Sequence, residues 1–210
     1  MFKKLIVIVL TLLVSGCATI SYKPSVSLPV SSKTIKATVQ INTFDDKTPS
    51  DDKDGKVGGV SATAPDTLSG NLSDEVTSAV LTDFSNELIF DTIKRKVDNP
   101  DYIMKGTINR FYGKAGINAG GWITIPIDII WFFGVPVVTS EGMVDLTVEL
   151  YKPDNTLIAK YNGKSEYDEL YTIYNNPTLS TPSKLNKCFS DAVNQIREQL
   201  LKDMDKFSKI

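Results

Sequence analysis

The sequence contains no histidine. That excludes a Ser-His-Asp triad, a Cys-His pair, His-ligated zinc or haem, and an imidazole general base. Cysteine is almost absent too: Cys17 and Cys188 stand alone in 210 residues, too few for a disulfide framework. Neither sign of charge dominates. With 23 Lys and Arg against 25 Asp and Glu the net charge is -2, so no global field draws nucleic acid. Phosphate-cradling Gly-x-x-x-x-Gly-Lys-Ser/Thr loops are missing, and the glycines at 113, 116, 120 and 121 miss the dinucleotide spacing. Gly59-Val60-Ser61-Ala62-Thr63 lacks the second glycine of a nucleophile elbow. Hydrophobic residues at 41% and charged residues at 23% place the chain among globular proteins rather than disordered ones.

What is present begins at the N-terminus. Lys3 and Lys4 precede an apolar run from Leu5 to Val14, and Ser15 and Gly16 follow. A basic start, a short apolar core and small residues describe a secretory signal peptide; a spanning helix needs about 20 apolar residues. Val14-Ser15-Gly16-Cys17 resembles the bacterial lipobox. The resemblance implies cleavage before Cys17, a diacylglyceryl thioether on Cys17, acylation of its new amine with palmitate-type chains, and, with Ala18 next, sorting to the outer membrane. The alternative is an ordinary signal peptide with an incidental cysteine. Loss of residues 1–16 would remove Lys3 and Lys4 and take the net charge from -2 to -4.

The expected organisation is a signal peptide (1–16), a lipidated Cys17 with an extended tether (17–32), and one periplasmic domain (33–210) containing an apolar loop (116–138). The tether is polar and carries Pro24 and Pro29. Ile35, Ala37, Val39 and Ile41 alternate with polar residues and predict a strand. Asp45 to Gly55 reads as an acidic, mobile, turn-rich segment. Asn71 to Leu88 predicts a helix capped by Asn71, with Leu72, Val76, Ala79, Val80, Phe84 and Leu88 on one stripe. Ile89 to Ile93 is a short strand or a helix end. Tyr102 to Tyr112 is expected as a strand, with Gly106 as a bulge. Val144 to Leu150 and Leu157 to Tyr161 alternate around Pro153-Asp154-Asn155 and predict a hairpin. Glu166 to Thr181 reads as a loop. A last helix is expected with Thr181 as its cap, Pro182 at the first helical position, and Leu185, Phe189, Val193, Ile196, Leu200, Met204 and Phe207 on one face. Cys188 is expected as a buried residue of that helix. The fold class expected is α+β: a mostly antiparallel sheet of four to five strands with two amphipathic helices on one face, in the order β-α-β-β-β-α. The other face must be wet, membrane-facing or covered by a partner.

The stretch from Gly116 to Val138 holds both tryptophans and one charge, Asp128, and Pro126 and Pro136 oppose a helix. Three readings stand open. It folds back and completes the core; it enters the lipid interface, where aromatics are favoured; or it meets a protein partner. Under the last two, Trp122, Ile125, Ile127, Trp131, Phe132 and Phe133 are the contact residues.

Other patterns fail. Asp52, Asp54 and Gly55 sit in a broken EF-hand pattern, because Ser50 and Ser61 occupy its first and closing positions. Glu166, Asp168 and Glu169 could supply the paired carboxylates of a glycan hydrolase, with Tyr167, Tyr171 and Tyr174 near a sugar, but nearby acids in a polar loop are usually solvated. The Phe2-Lys3-Lys4 leader, the lipobox, Ser27-Leu28-Pro29 and the Ile35 to Ile41 strand resemble the YajG-type bacterial lipoproteins. Asp101-Tyr102-Ile103-Met104-Lys105-Gly106-Thr107-Ile108 is similar to a phrase in LptE-like and transporter-auxiliary lipoproteins. The resemblance implies a non-enzymatic outer-membrane lipoprotein that faces the periplasm and binds an envelope protein or lipid, without catalytic residues, metal, cofactor or nucleic acid. The alternatives are a subunit of an export or envelope-assembly oligomer that inserts the apolar loop, and a carboxylate-dependent glycan-acting enzyme.

Overall fold

The computed structural model describes residues 21–56, 59–117, 132–175, 177 and 179–207. Its strands are β1 (Ile35–Ile41), β2 (Asp45–Asp46), β3 (Val60–Ser61), β4 (Phe90–Lys94), β5 (Tyr102–Ile117), β6 (Val138–Tyr151) and β7 (Leu157–Tyr171). Its helices are α1 (Ser50–Lys53), α2 (Leu72–Asn86), α3 (Thr181–Lys202) and α4 (Met204–Phe207). The fold is α+β, but the sheet has seven strands and is mixed, in the order β4-β1-β5-β6-β7 with β2 and β3 also on β5.

The expectation of a mainly antiparallel sheet fails at β1. This strand lies parallel to both β4 and β5. For β4 the reason is the α2 crossover, since a helix between two strands returns the chain so that the second runs the same way as the first; β5 then follows through residues 95–101, without a helix, and keeps that direction on the other side of β1. The strand count was too low because β5 is long and its free edge is patched in turn by β1 at Tyr102–Met104, β2 at Thr107–Ile108 and β3 at Lys114–Ala115. Two-residue strands carry no periodicity.

β5, β6 and β7 form a long antiparallel meander. The β6–β7 turn is as expected, with Asn155 at φ 65° and Asp154 accepting from the Thr156 N–H at 2.9 Å. The β5 irregularity lies between Ile108 and Arg110, not at Gly106. Gly106 answers a different need: a Cβ there would come within 2.3 Å of the Phe44 ring, which lies on the glycine. β7 overturns the loop expected from Glu166, because Glu166 to Tyr171 continue to pair with Met143 to Val138.

Alternate strand residues turn one way. Met104, Ile108, Phe111, Val144, Leu146, Val148 and Tyr161 join Val76, Val80 and Phe84 of α2 and Leu185, Phe189, Val193, Ile196 and Leu200 of α3 in one buried core. Asn71 caps α2, accepting from the Ser73 N–H at 2.9 Å, as expected. α2 stops at Asn86 rather than Leu88, because Leu88 takes a positive φ of 53°. α3 begins at Thr181 with Ser180 in the cap position, and Thr181 Oγ1 donates to the Pro177 carbonyl at 3.0 Å.

Candidate functional site

Three features distinguish this domain: a strap, an apolar end and an outward polar face. The strap is the segment expected as a free tether. Residues 22–29 are extended but lie along the domain beside α3. The buried Tyr22 hydroxyl donates to Asn186 Oδ1 at 2.8 Å, and the Ser25 N–H donates to the same oxygen at 3.1 Å. The Ser27 N–H donates to Ser190 Oγ at 3.2 Å, and Arg197 donates to the Pro29 carbonyl at 2.6 Å. Val26 and Leu28 pack on the core from above. An extended chain has unpaired backbone groups; here polar side chains on one face of α3 pair several of them.

Asp83 of α2 holds the strap from the other side. Burial pushes its carboxyl up to about 6, although the Leu28 N–H bonds to it and opposes the shift; Glu87 adds to the rise and Arg197 offsets part of it. At the strap's start, Tyr22 forms a bridge with Leu68, and its ring lies 6.5 Å from that of Phe111. The strap therefore runs parallel to α3. Followed backwards, it heads for the N-terminal end of that helix.

The same end of the sheet carries the second feature. Nine large hydrophobic residues are exposed among the described residues, and six gather here: Phe132, Phe133, Val135, Leu170, Tyr174 and Leu179. Phe132 and Phe133 are 66% and 79% exposed, and Leu179 76%. The segments converge through named contacts. The Tyr174 hydroxyl donates to the Phe132 carbonyl at 2.8 Å, and the Val137 N–H donates to the Tyr171 carbonyl at 3.0 Å. Ser140 and Thr181 hydroxyls lie 3.3 Å apart, which ties the start of β6 to the start of α3. Of the contact residues anticipated from sequence, Phe132 and Phe133 lie in this patch. Cys17, Trp122, Ile125, Ile127 and Trp131 lie outside the described residues. Leu170 and Leu179 were missed, because a single leucine in a polar stretch carries no periodic signal.

The outward sheet face is polar. Asn109 donates to Asp145 at 2.8 Å and to Thr147 at 3.0 Å, and Thr147 donates to Asn162 at 2.9 Å, linking three strands. The acidic segment expected to be mobile is fastened over this face. Arg110 grips buried Asp52 through two bonds of 2.7 Å, Lys114 bonds the Asp51 carbonyl, and Lys56 bonds Thr139 at 2.8 Å and Glu141 at 2.9 Å. Asp52, an acid of the broken EF-hand pattern, is thus turned to arginine. Among the described residues no cluster of three or more potential ligands could hold a metal ion.

Of the carboxylates considered for glycan chemistry, Glu166 and Asp168 share one face of β7 and the pleat turns Glu169 to the other. Glu166 pairs with Lys164 at 3.2 Å, while Glu169, of opposite parity on β7, pairs with Lys184 of α3 at 2.8 Å. The three tyrosines separate as well. Tyr167 and Tyr171 share Lys184, whose ammonium lies 5.8 Å and 4.4 Å from their ring centroids, and Tyr174 belongs to the apolar end. Burial pushes the Tyr167 phenol up to about 12. Cys188 is buried on α3 as expected, and burial raises its thiol, which disfavours the reactive thiolate.

No family model matches the chain, and no curated protein is similar to it in sequence. Some solved structures are similar in outline. A Xanthomonas campestris protein of the family of unknown function 330 has 11% identity and a TM-score of 0.47, over 88% of this chain and 95% of its own. An uncharacterised protein has 11% identity and a TM-score of 0.46, over 86% of this chain and 99% of its own. A candidate lipoprotein from Caulobacter crescentus has 11% identity and a TM-score of 0.36, over 65% of this chain and 85% of its own. Likeness of this degree leaves function to the residues themselves.

Proposed function

We infer that the chain is a lipoprotein of the bacterial outer membrane, anchored by acyl chains on Cys17, facing the periplasm and serving the envelope as a non-enzymatic binding component. The observation that carries this reading is the clamped strap. The lipobox ends at Cys17, and among the described residues the first held by the domain is Tyr22. Five residues span at most about 18 Å, so the anchor and the domain are close neighbours. A protein meant to reach far from its membrane would leave residues 22–29 free. Two or three acyl chains give lasting attachment where one gives only marginal binding.

The test is direct. Mass spectrometry of the N-terminal peptide should find Cys17 first, carrying diacylglyceryl and an N-acyl chain. Density-gradient fractionation should place the protein with the outer membrane, and Ala18→Asp should move it to the inner one. An unacylated N-terminus cut elsewhere would overturn the anchor, and release of the protein by salt alone would do the same.

A further inference from the structure

We propose that the apolar end formed by Phe132, Phe133, Val135, Leu170, Tyr174 and Leu179 enters the acyl–headgroup boundary of the bilayer that holds Cys17, and so fixes the orientation of the domain on the membrane. The inference rests on the anchor reading above, which brings this end of the domain to the bilayer.

Placement comes first. The strap is pinned beside Asn186 at residues 22 and 25, beside Ser190 at residue 27 and by Arg197 at residue 29. Its direction delivers the chain towards the start of α3, and Leu179 lies immediately before that start. The reach of about 18 Å from Tyr22 keeps Cys17 at this end. A lipid on Cys17 therefore brings the patch, and not the β6–β7 turn at the far end of the sheet, to the bilayer.

Chemistry comes second. No charged residue occurs from Ile129 to Ser140 or from Leu170 to Ser183, the two stretches that supply the patch. Of the charges that flank these stretches, Glu169 and Lys184 pair with each other at 2.8 Å and Glu141 pairs with Lys56 at 2.9 Å, while Asp128 lies outside the described residues. Entry into the interface thus desolvates apolar groups without stripping water from an ion. The composition also suits that depth. Phe, Leu and Val supply apolar area, and Tyr174 keeps a polar hydroxyl satisfied by the Phe132 carbonyl.

Trp131 adjoins Phe132 in sequence, and the chain has one other tryptophan, so intrinsic fluorescence reports on this end without a probe. The full lipidated chain is reconstituted into vesicles of phosphatidylethanolamine and phosphatidylglycerol, with plain or brominated acyl chains. Bromine should quench the emission. Phe132→Ser, Phe133→Ser, Leu170→Ser and Leu179→Ser together should remove that quenching while leaving the unfolding midpoint unchanged, since all four side chains are exposed. Equal emission in plain and brominated vesicles would overturn the proposal. Emission that ignores bromine but shifts with protein density would assign the end to a second copy of the chain, and would also overturn it. If Cys17 proves unacylated, vesicles are added to the free chain instead. Quenching there would sustain this inference although the anchor reading had failed, and its absence on an acylated chain would do the reverse.

Discussion

Gln195 of α3 serves Lys164 of β7 as a neighbouring strand would. Its amide donates to the Lys164 carbonyl at 2.8 Å, and its side-chain carbonyl accepts from the Lys164 N–H at 3.0 Å. One helical turn on, Gln199 repeats the pattern on Asn162 at 2.7 Å and 3.4 Å. β7 is the last strand of the sheet, and an uncovered edge is a template for pairing with another chain. The two glutamines close it over these residues. Gln195→Leu with Gln199→Leu should therefore lose about 1 kcal/mol per hydrogen bond and promote concentration-dependent association. Sedimentation at increasing concentration, beside a urea titration, checks both. A double variant as stable and as monodisperse as the parent would refute the role.

The glutamines reach the strand because Gly163 lets the helix come close. A Cβ at Gly163 would lie 2.0 Å from the Ala192 carbonyl oxygen, and the obstacle is backbone, which cannot swing away. Gly163→Ala should cost at least about 2 kcal/mol, read as a lowered denaturant midpoint. A change of under about 0.5 kcal/mol would show that α3 shifts freely on the sheet.

The elements most legible in the sequence were those whose neighbours in space are also close in period. β1 alternates strictly, and α2 and α3 show their buried stripes at spacings of three and four, so their type and inward faces could be read directly. Parallel pairing was hidden, since Val39 opposite Tyr102 joins residues with no local signature. The outer half of β7 looked like a loop because Lys164, Glu166 and Asp168 alternate with Gly163, Ser165 and Glu169, so the intervening positions carry little apolar signal. The strap looked like a tether for a related reason. Its polar composition is satisfied by Asn186, Ser190 and Arg197, more than 160 residues away. Likewise Phe132 and Phe133 stood out in a run, while Leu170 and Leu179 became visible only when folding brought them to the same end.

Asp52 and Arg110 make a second test of what was read as a mobile acidic loop. Their two bonds of 2.7 Å fasten α1 over the outward face, with Asp52 buried and Arg110 half exposed. The carboxylate is the first cause of a raised Arg110 guanidinium pKa. Because the arginine stays partly in water, Asp52→Ala should cost only about 1 kcal/mol globally. Locally the effect should be larger. Lys53 and Lys56 should become cleavable by trypsin, and amide exchange should rise across Thr48 to Asp54. Unchanged proteolysis would mean that Lys56 and Lys114 hold the segment without the pair.

Asp83 makes the grip on the strap sensitive to pH, and the sign follows from the direction of its shift. Burial raises the folded carboxyl to about 6 from an ordinary value of 3.8, so between those values the folded protein binds a proton that the unfolded chain does not. Stability from this group is fully present below the unfolded value and is lost as the pH rises through about 6. The domain should accordingly resist urea better at about pH 5 than at pH 7. Asp83→Asn removes the charge at every pH while its amide oxygen can still accept from the Leu28 N–H. That variant should be the more stable protein at pH 7, and the difference should shrink towards pH 4. The Leu28 bond itself runs the other way: it favours the ionised carboxyl, so amide exchange at Leu28 in the parent should quicken relative to the rest of the domain as the pH falls, once the intrinsic pH dependence of exchange is removed. Equal stability slopes for parent and variant between pH 4 and 7 would remove Asp83 from this role and leave the strap to Arg197, the other α3 side chains and the bridge from Tyr22 to Leu68.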